Sequence, residues 1–395
     1  MNLLKRSFYL IVLLSFSLFN LQCKNAKNND IKTQSEKEVV NLVTISKEDF
    51  GTTADSIAVE KYVLKNKKGM EISIITYGGI ITSWTAPDKT GNYQDIVFGY
   101  NTFADYEKSN PYFGALIGRF GNRIAKGKFS LDGTEYTLAK NNDDNHLHGG
   151  IKGFDKVVWT ATENQTDSTA SLVLTYLSKD MEEGYPGNLN TKVIYTLNND
   201  NELEVAYEST TDKKTIVNLT QHSYFNLSGD FSKTILDHEI TINADKFIPV
   251  DATLIPTGEL KDVTNTPFDF RTAKAIEKDI EAENGQLKKG FGYDHCWVLN
   301  DQNTGMRLAA SAYENKSGRL LEVFTNEPGI QLYTGNFLDG TLPSKQGGTY
   351  GYRTAFCLET QHYPDAPNQK DFPSVVLNPG ETYKTKTSYK FSVKK

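Results

Sequence analysis

Lys192-Val193-Ile194-Tyr195-Thr196-Leu197 and Glu202-Leu203-Glu204-Val205-Ala206-Tyr207 are two β-like runs joined by Asn198-Asn199-Asp200-Asn201. Asn and Asp accept the left-handed backbone of a tight turn, so the stretch predicts a β-hairpin. The same grammar recurs on either side. Glu71 to Tyr77 alternates in polarity, breaks at Gly78-Gly79 and resumes from Ile80 to Trp84, and Ser171 to Tyr176 is a further run. Arg319 to Thr325 and Ile330 to Thr334 flank a turn at Asn326-Glu327-Pro328-Gly329. Helical periodicity is weak and best over Thr272 to Ile280, which is only about two turns. The chain is rich in Tyr and Phe, with 21 of each, and such residues suit pleated surfaces. No repeat at a solenoid period and no internal linker divides residues 56–391. These features predict an all-β fold, one large antiparallel β-sandwich over 51–395.

The amino terminus reads as a targeting segment. Lys5 and Arg6 precede an apolar run from Phe8 to Leu21, and Cys23 follows it. The run is too short for a confident membrane span and predicts a signal peptide over 1–22. A Cys at this place resembles a lipoprotein signal, with Cys23 as the lipidated residue, although Asn20-Leu21-Gln22 is not the usual small-residue approach. A conventionally cleaved signal is the alternative. Residues 23–50 are rich in Lys, Asn, Glu, Ser and Thr and predict a flexible tether. Together these features predict an extracytoplasmic protein, membrane-associated only through a lipid anchor at Cys23.

Cys296 and Cys357 stand in apolar strand contexts and predict buried thiols. No C-x-x-C spacing occurs, and the net charge of −6 comes without a basic stripe, which argues against nucleic acid as a partner.

The polar chemistry is concentrated in a few places. From Asn218 to Asn226, alternation puts Asn218, Thr220, His222, Tyr224 and Asn226 on one face, with Gln221 and Ser223 among the residues opposite. Such a face suits a wall that hydrogen-bonds a polyhydroxylated ligand, and equally a solvated outer face of a sheet. Phe356-Cys357-Leu358-Glu359-Thr360-Gln361 carries one carboxylate in a near-apolar strand, and a lone buried Glu is costly without a partner or a task. Asn145-His146-Leu147-His148-Gly149-Gly150 holds two more of the six histidines. Gly118 to Ile124, Gly290 to His295 and Gly329 to Asn336 add Arg, Asp, Asn and Gln between glycines.

Taken together, these motifs resemble the aldose 1-epimerase (galactose mutarotase) family over essentially all of 56–391. The resembling stretches are Gly121 to Gly127, Leu147-His148-Gly149-Gly150 with Gly153-Phe154-Asp155, Asn218 to Leu227, Gly292 to His295, Gln331 to Asn336, and Leu358 to Gln361 with Pro364 to Asn368. The resemblance implies a β-supersandwich with an open sugar cleft and interconversion of the α and β anomers of aldohexoses, such as glucose and galactose, without a cofactor. It implies Glu359 as general base and His222 as general acid. Asn122, Arg123, His148, Asp294 and Gln331 would hold the sugar, with Ser223 and Tyr224 bordering it. Phe120-Gly121 and His362-Tyr363 vary from the family pattern outside these positions.

The chemistry needs such a pair. Opening a hemiacetal ring removes the C1 hydroxyl proton while the ring oxygen gains one, which a carboxylate and an imidazolium can do together. Three other readings compete. His146-x-His148 could begin a metal site, but such sites want a carboxylate four or five residues on and another His later, and here Ile151 and Lys152 follow the glycines. A sugar-binding module on the same fold would not need both Glu359 and His222. A glycosidase would need a carboxylate pair, for which Asp294 is the available partner to Glu359.

Overall fold

The computed structural model describes residues 43–394. The expected signal segment, Cys23 and the tether up to residue 42 lie outside the described residues. The folded chain starts before the expected boundary at 51. Thr44–Thr52 is already a strand, paired antiparallel with Ala58–Lys65. Its side chains are mostly exposed, so its order comes from main-chain pairing, which composition does not register.

Two large sheets make the sandwich. The first has five strands in sequence order: Thr44–Thr52, Ala58–Lys65, Glu71–Ile75, Ile81–Pro87 and Tyr93–Asp95. The second has nine strands. From one edge they are Thr160–Gln165, Thr169–Ser178, Leu189–Asn198, Glu202–Thr211 and Tyr383–Val393. Arg319–Thr325, Arg307–Tyr313, Glu239–Ile242 and Lys274–Ala275 complete it. The expected hairpin lies near its centre, with Val193 opposite Tyr207, Tyr195 opposite Val205 and Leu197 opposite Leu203, all buried. In its turn Asn201 takes φ 58°, and Asn198 Oδ1 accepts the amides of Asp200 (2.8 Å) and Glu202 (3.2 Å). The space between the two sheets is filled by Trp84, whose ring lies 5.4–5.8 Å from those of Phe225, Tyr389 and Phe391.

A third sheet carries the polar motifs. Its five strands run Lys261–Asp262, Lys246–Ile248, Asp294–Val298, Gly329–Tyr333 and Cys357–Gln361. The turn Asn326 to Pro328 hands the chain from the nine-stranded sheet, which Arg319–Thr325 belongs to, into this one. Side-chain parity divides the third sheet. Trp297, Ile330, Leu332 and Leu358 join the core shared with the nine-stranded sheet. Asp294, Gln331, Tyr333, Cys357 and Glu359 therefore point the other way.

The helix expected over Thr272 to Ile280 does not form. Lys274–Ala275 is an edge strand paired with Glu239–Ile242, and a single 3-10 turn, Ile276–Lys278, follows. Lys274 Nζ is fixed to the Pro267 carbonyl (2.7 Å) and Asp279 Oδ2 (2.8 Å), so strand pairing and this buried cation outweigh a short periodic signal. Among the described residues the α-helices are two of six residues each, Phe103–Lys108 and Gly285–Gly290. Cys296 and Cys357 are free buried thiols.

Because Trp84 joins the two large sheets, Trp84→Ala should destabilise the protein by about 3–5 kcal/mol. Guanidinium denaturation followed by circular dichroism measures this, and an unchanged midpoint would show that the inter-sheet core does not depend on that ring.

Candidate active site

Parity on the third sheet sets the floor of a cleft. Glu359 stands opposite Gln331 in the ladder, and Asp294 lies on the neighbouring strand, opposite Tyr333. Gln331 Nε2 donates to Asp294 Oδ1 at 2.7 Å. Arg123 reaches over from Arg123–Ile124, a short strand paired with His146–Leu147, and its Nη1 lies 3.7 Å from Asp294 Oδ2. Arg123 Nε donates to Asn142 Oδ1 at 2.9 Å, which fixes the guanidinium.

His222 comes from a different element. Thr220–His222 pairs antiparallel with Ala115–Ile117, and its last residue brings the imidazole against the edge of the third sheet. His222 Nε2 lies 3.5 Å from Glu359 Oε1, and both side chains are almost wholly buried. The Cys357 thiol is 3.6 Å from Nδ1, and the imidazole stacks on Tyr224 at 5.0 Å. Desolvation pushes the His222 imidazole down to about 4. Desolvation also raises the Glu359 carboxyl well above its usual range, with the Asp294 carboxylate adding to the effect and Arg123 opposing it.

His148 sits on a turn at φ 52°, where its Nδ1 accepts the Asn122 amide at 3.2 Å. Burial, then the neighbouring His222, Arg123 and Lys156, hold it far below the usual imidazole range. It is thus neutral, with its proton on Nε2, and acts as a fixed donor. The Asn122 side chain accepts the Arg123 amide at 2.9 Å and borders the same space.

Pro111, Tyr112, Leu147, Tyr333, Phe337 and Leu342 complete the wall around Asn122, Arg123, His148, His222, Tyr224, Asp294 and Glu359. The cleft encloses about 270 Å³. That is below the ~300–1,000 Å³ of pockets for drug-sized ligands and suits one small polar ring. Glu359 Oε2 is buried without a hydrogen-bond partner and faces the cleft, leaving an acceptor for a hydroxylated ligand. A larger open groove of about 640 Å³ on the nine-stranded sheet is lined by Lys192, Glu208 and Lys384, which pair with one another in solvent. It lacks the buried, perturbed groups that mark a reactive site.

The expected residues converge with four qualifications. Ser223 is buried but does not line the cleft, since alternation turns it away between His222 and Tyr224. Gln331 acts on the cleft through Asp294 and is itself behind the lining. Asn218 and Asn226 brace the backbone: Asn218 Nδ2 donates to the carbonyls of Gly121 and His362, and Asn226 Nδ2 to that of Thr354. His146 parts from His148, bonding the Ala139 carbonyl and the Tyr185 hydroxyl, each at 2.7 Å. The metal reading thus loses its His-x-His pair. A His-His-Glu trio with ligand atoms within 4.8 Å of one another exists instead at His148, His222 and Glu359. Tyr112 and Phe337 escaped sequence reading because loops deliver them. Tyr333 could have been found, since it shares parity with Gln331 in Gln331-Leu332-Tyr333.

Residues 60–390 match the family model described as aldose 1-epimerase. The chain is 46% identical over 353 residues to the galactose mutarotase of Bos taurus, covering 89% of this chain and 100% of that one. It is 38% identical over 330 residues to the aldose 1-epimerase of Escherichia coli (strain K12), covering 83% of this chain and 94% of that one. The structure resembles galactose 1-epimerase from Lactobacillus acidophilus NCFM with a TM-score of 0.79 at 29% identity, covering 89% of this chain and all of the other. These relatives correct the expected location. The kinship spans mammalian and E. coli epimerases along nearly their whole length and supports neither a signal peptide nor an anchor at Cys23. The extracytoplasmic, lipid-anchored reading is withdrawn. The described sandwich, its cleft and these matches together make the chain a member of the aldose 1-epimerase family.

Proposed function

We propose that this chain interconverts the α and β anomers of aldohexoses such as glucose and galactose, with Glu359 as base and His222 as acid. The observation that carries the roles is the 3.5 Å approach of His222 Nε2 to Glu359 Oε1 inside a buried cleft lined with fixed donors and acceptors.

The reaction needs one proton shared by two groups. One must be able to donate while the other has room to accept. Burial disfavours charge on either group alone, whereas adjacency lets carboxylate and imidazolium stabilise each other. In that form Glu359 takes the C1 hydroxyl proton and His222 protonates the ring oxygen as the C1–O5 bond breaks. The open aldehyde turns about C1–C2. The C5 hydroxyl then attacks the other face, returning its proton to His222 while Glu359 gives its own to the carbonyl oxygen. Arg123, Asp294, Asn122 and the His148 Nε2–H hold the hydroxyls so that both transfers stay within reach. Asp294 is not the second carboxylate of a glycosidase in this reading. It is occupied by Gln331 and Arg123, which suits a hydroxyl acceptor better than a nucleophile.

Polarimetry on freshly dissolved α-glucose and α-galactose tests the activity. Purified protein should drive both to equilibrium faster than buffer alone, and rates equal to buffer would overturn it.

The pH profile follows from the two shifts. The pair works while it holds one proton. As pH falls through about 4, His222 takes up a second proton and no base remains. As pH rises through the raised Glu359 value, the last proton leaves and no acid remains. After subtraction of the buffer reaction, kcat/KM should therefore hold through mildly acid pH and fall only near about 4 on the acid side. An acid limb at the ordinary imidazole value would contradict the assignment of a desolvated His222.

A further inference from the structure

The mouth of the cleft carries aromatic surface that one bound ring does not use. Phe291, Phe337 and Tyr352 are 61, 52 and 49% exposed. The Phe291 and Phe337 rings meet edge to face at 5.9 Å, and the Tyr352 hydroxyl donates to the Phe291 carbonyl at 3.2 Å. The Arg353 guanidinium covers the Tyr352 ring at 4.6 Å and donates to the same carbonyl. Phe337 also belongs to the cleft wall, where it lies nearly parallel to Tyr333. The patch is therefore a continuation of the cleft.

Its geometry works against folding. Phe291 ends the helix Gly285–Gly290 at φ 54°, ψ 26°, a left-handed position that ordinarily goes to Gly or Asn. A bulky residue there is strained, and its ring remains mostly in water, so burial does not offset the strain. Exposed aromatic groups held at such a cost beside a cleft mark a binding surface.

We infer that Phe291, Phe337 and Tyr352 form a second subsite, which holds a glycosyl unit attached to the aldose in the cleft. The inference rests on the aldose reading of the cleft. In a pyranose, C4 lies across the ring from C1. With C1 at the buried Glu359 and His222, C4 points to the mouth. A cleft of about 270 Å³ leaves a ring linked at that position outside, over the phenyl groups. The C–H face of a sugar packs on aromatic rings, and the Tyr352 hydroxyl offers a polar partner beside them.

Phe291→Gly tests the subsite, because glycine accepts the left-handed position without strain. Polarimetry with the full chain would compare α-lactose, which carries a glycosyl unit on O4, with α-glucose. The KM for α-lactose should rise about three- to tenfold, while that for α-glucose stays within about twofold. The thermal midpoint should not fall. Equal KM changes for the two sugars, no change for lactose, or a lowered midpoint would each overturn the subsite while leaving the aldose reading intact. A wild type that does not accelerate α-glucose mutarotation overturns the aldose reading and the subsite with it.

Discussion

A carboxyl and an imidazole held 3.5 Å apart, out of water, are the constraint around which this molecule is organised. Neither is stable there as an isolated charge, because desolvation raises one group and lowers the other. The pair becomes useful when it carries a single proton that can sit on either partner. That arrangement requires two strands from separate sheets to meet edge to edge without a shared ladder. Cys357–Gln361 is fixed by pairing with Gly329–Tyr333, and Thr220–His222 by pairing with Ala115–Ile117.

The bracing between those strands is polar and local. Asn218 accepts the His362 amide at 2.9 Å, just beyond the Glu359 strand, and donates to the Gly121 carbonyl beside Asn122. One amide side chain thus couples the His222 strand, the Glu359 strand and the Gly121-Asn122 segment that leads into the Arg123 strand. Behind them, Thr360 Oγ1 meets Thr387 Oγ1 at 2.5 Å, tying the third sheet to the nine-stranded one. Rigid strands carry the acid and base, and loops supply Tyr112 and Phe337. This division gives the reacting groups fixed positions and leaves the mouth open to variation.

Much of the fold was legible because its signals are short-range. The Asn198 to Asn201 turn bends as its residues require, and the flanking runs alternate into the core. Glu359 stood out because a carboxylate in a near-apolar strand has few cheap explanations, and it is 2% exposed. Long-range geometry was less legible. Nothing local separates His146, bonded to Tyr185, from His148, bonded to Asn122, with only Leu147 between them. The left-handed turn at His148 breaks the strand parity that would have aligned them. Thr272 to Ile280 reads as helix in isolation and becomes a strand edge because Glu239–Ile242 offers it a partner. The tether boundary at 50 failed for the same reason, since Ala58–Lys65 pairs with a segment whose composition is polar. The amino-terminal reading rested on local composition alone, and the epimerase relatives gave it no support.

The most direct test of the central claim is a double-mutant cycle on turnover with α-glucose, corrected for the spontaneous reaction. Glu359→Gln and His222→Asn should each lower kcat by about 10²- to 10⁴-fold. Because both protons move in one step, the double variant should lose far less than the product of the two losses. Near-wild-type turnover in Glu359→Gln, or fully multiplicative losses in the double variant, would show that the buried pair does not act as one acid–base unit.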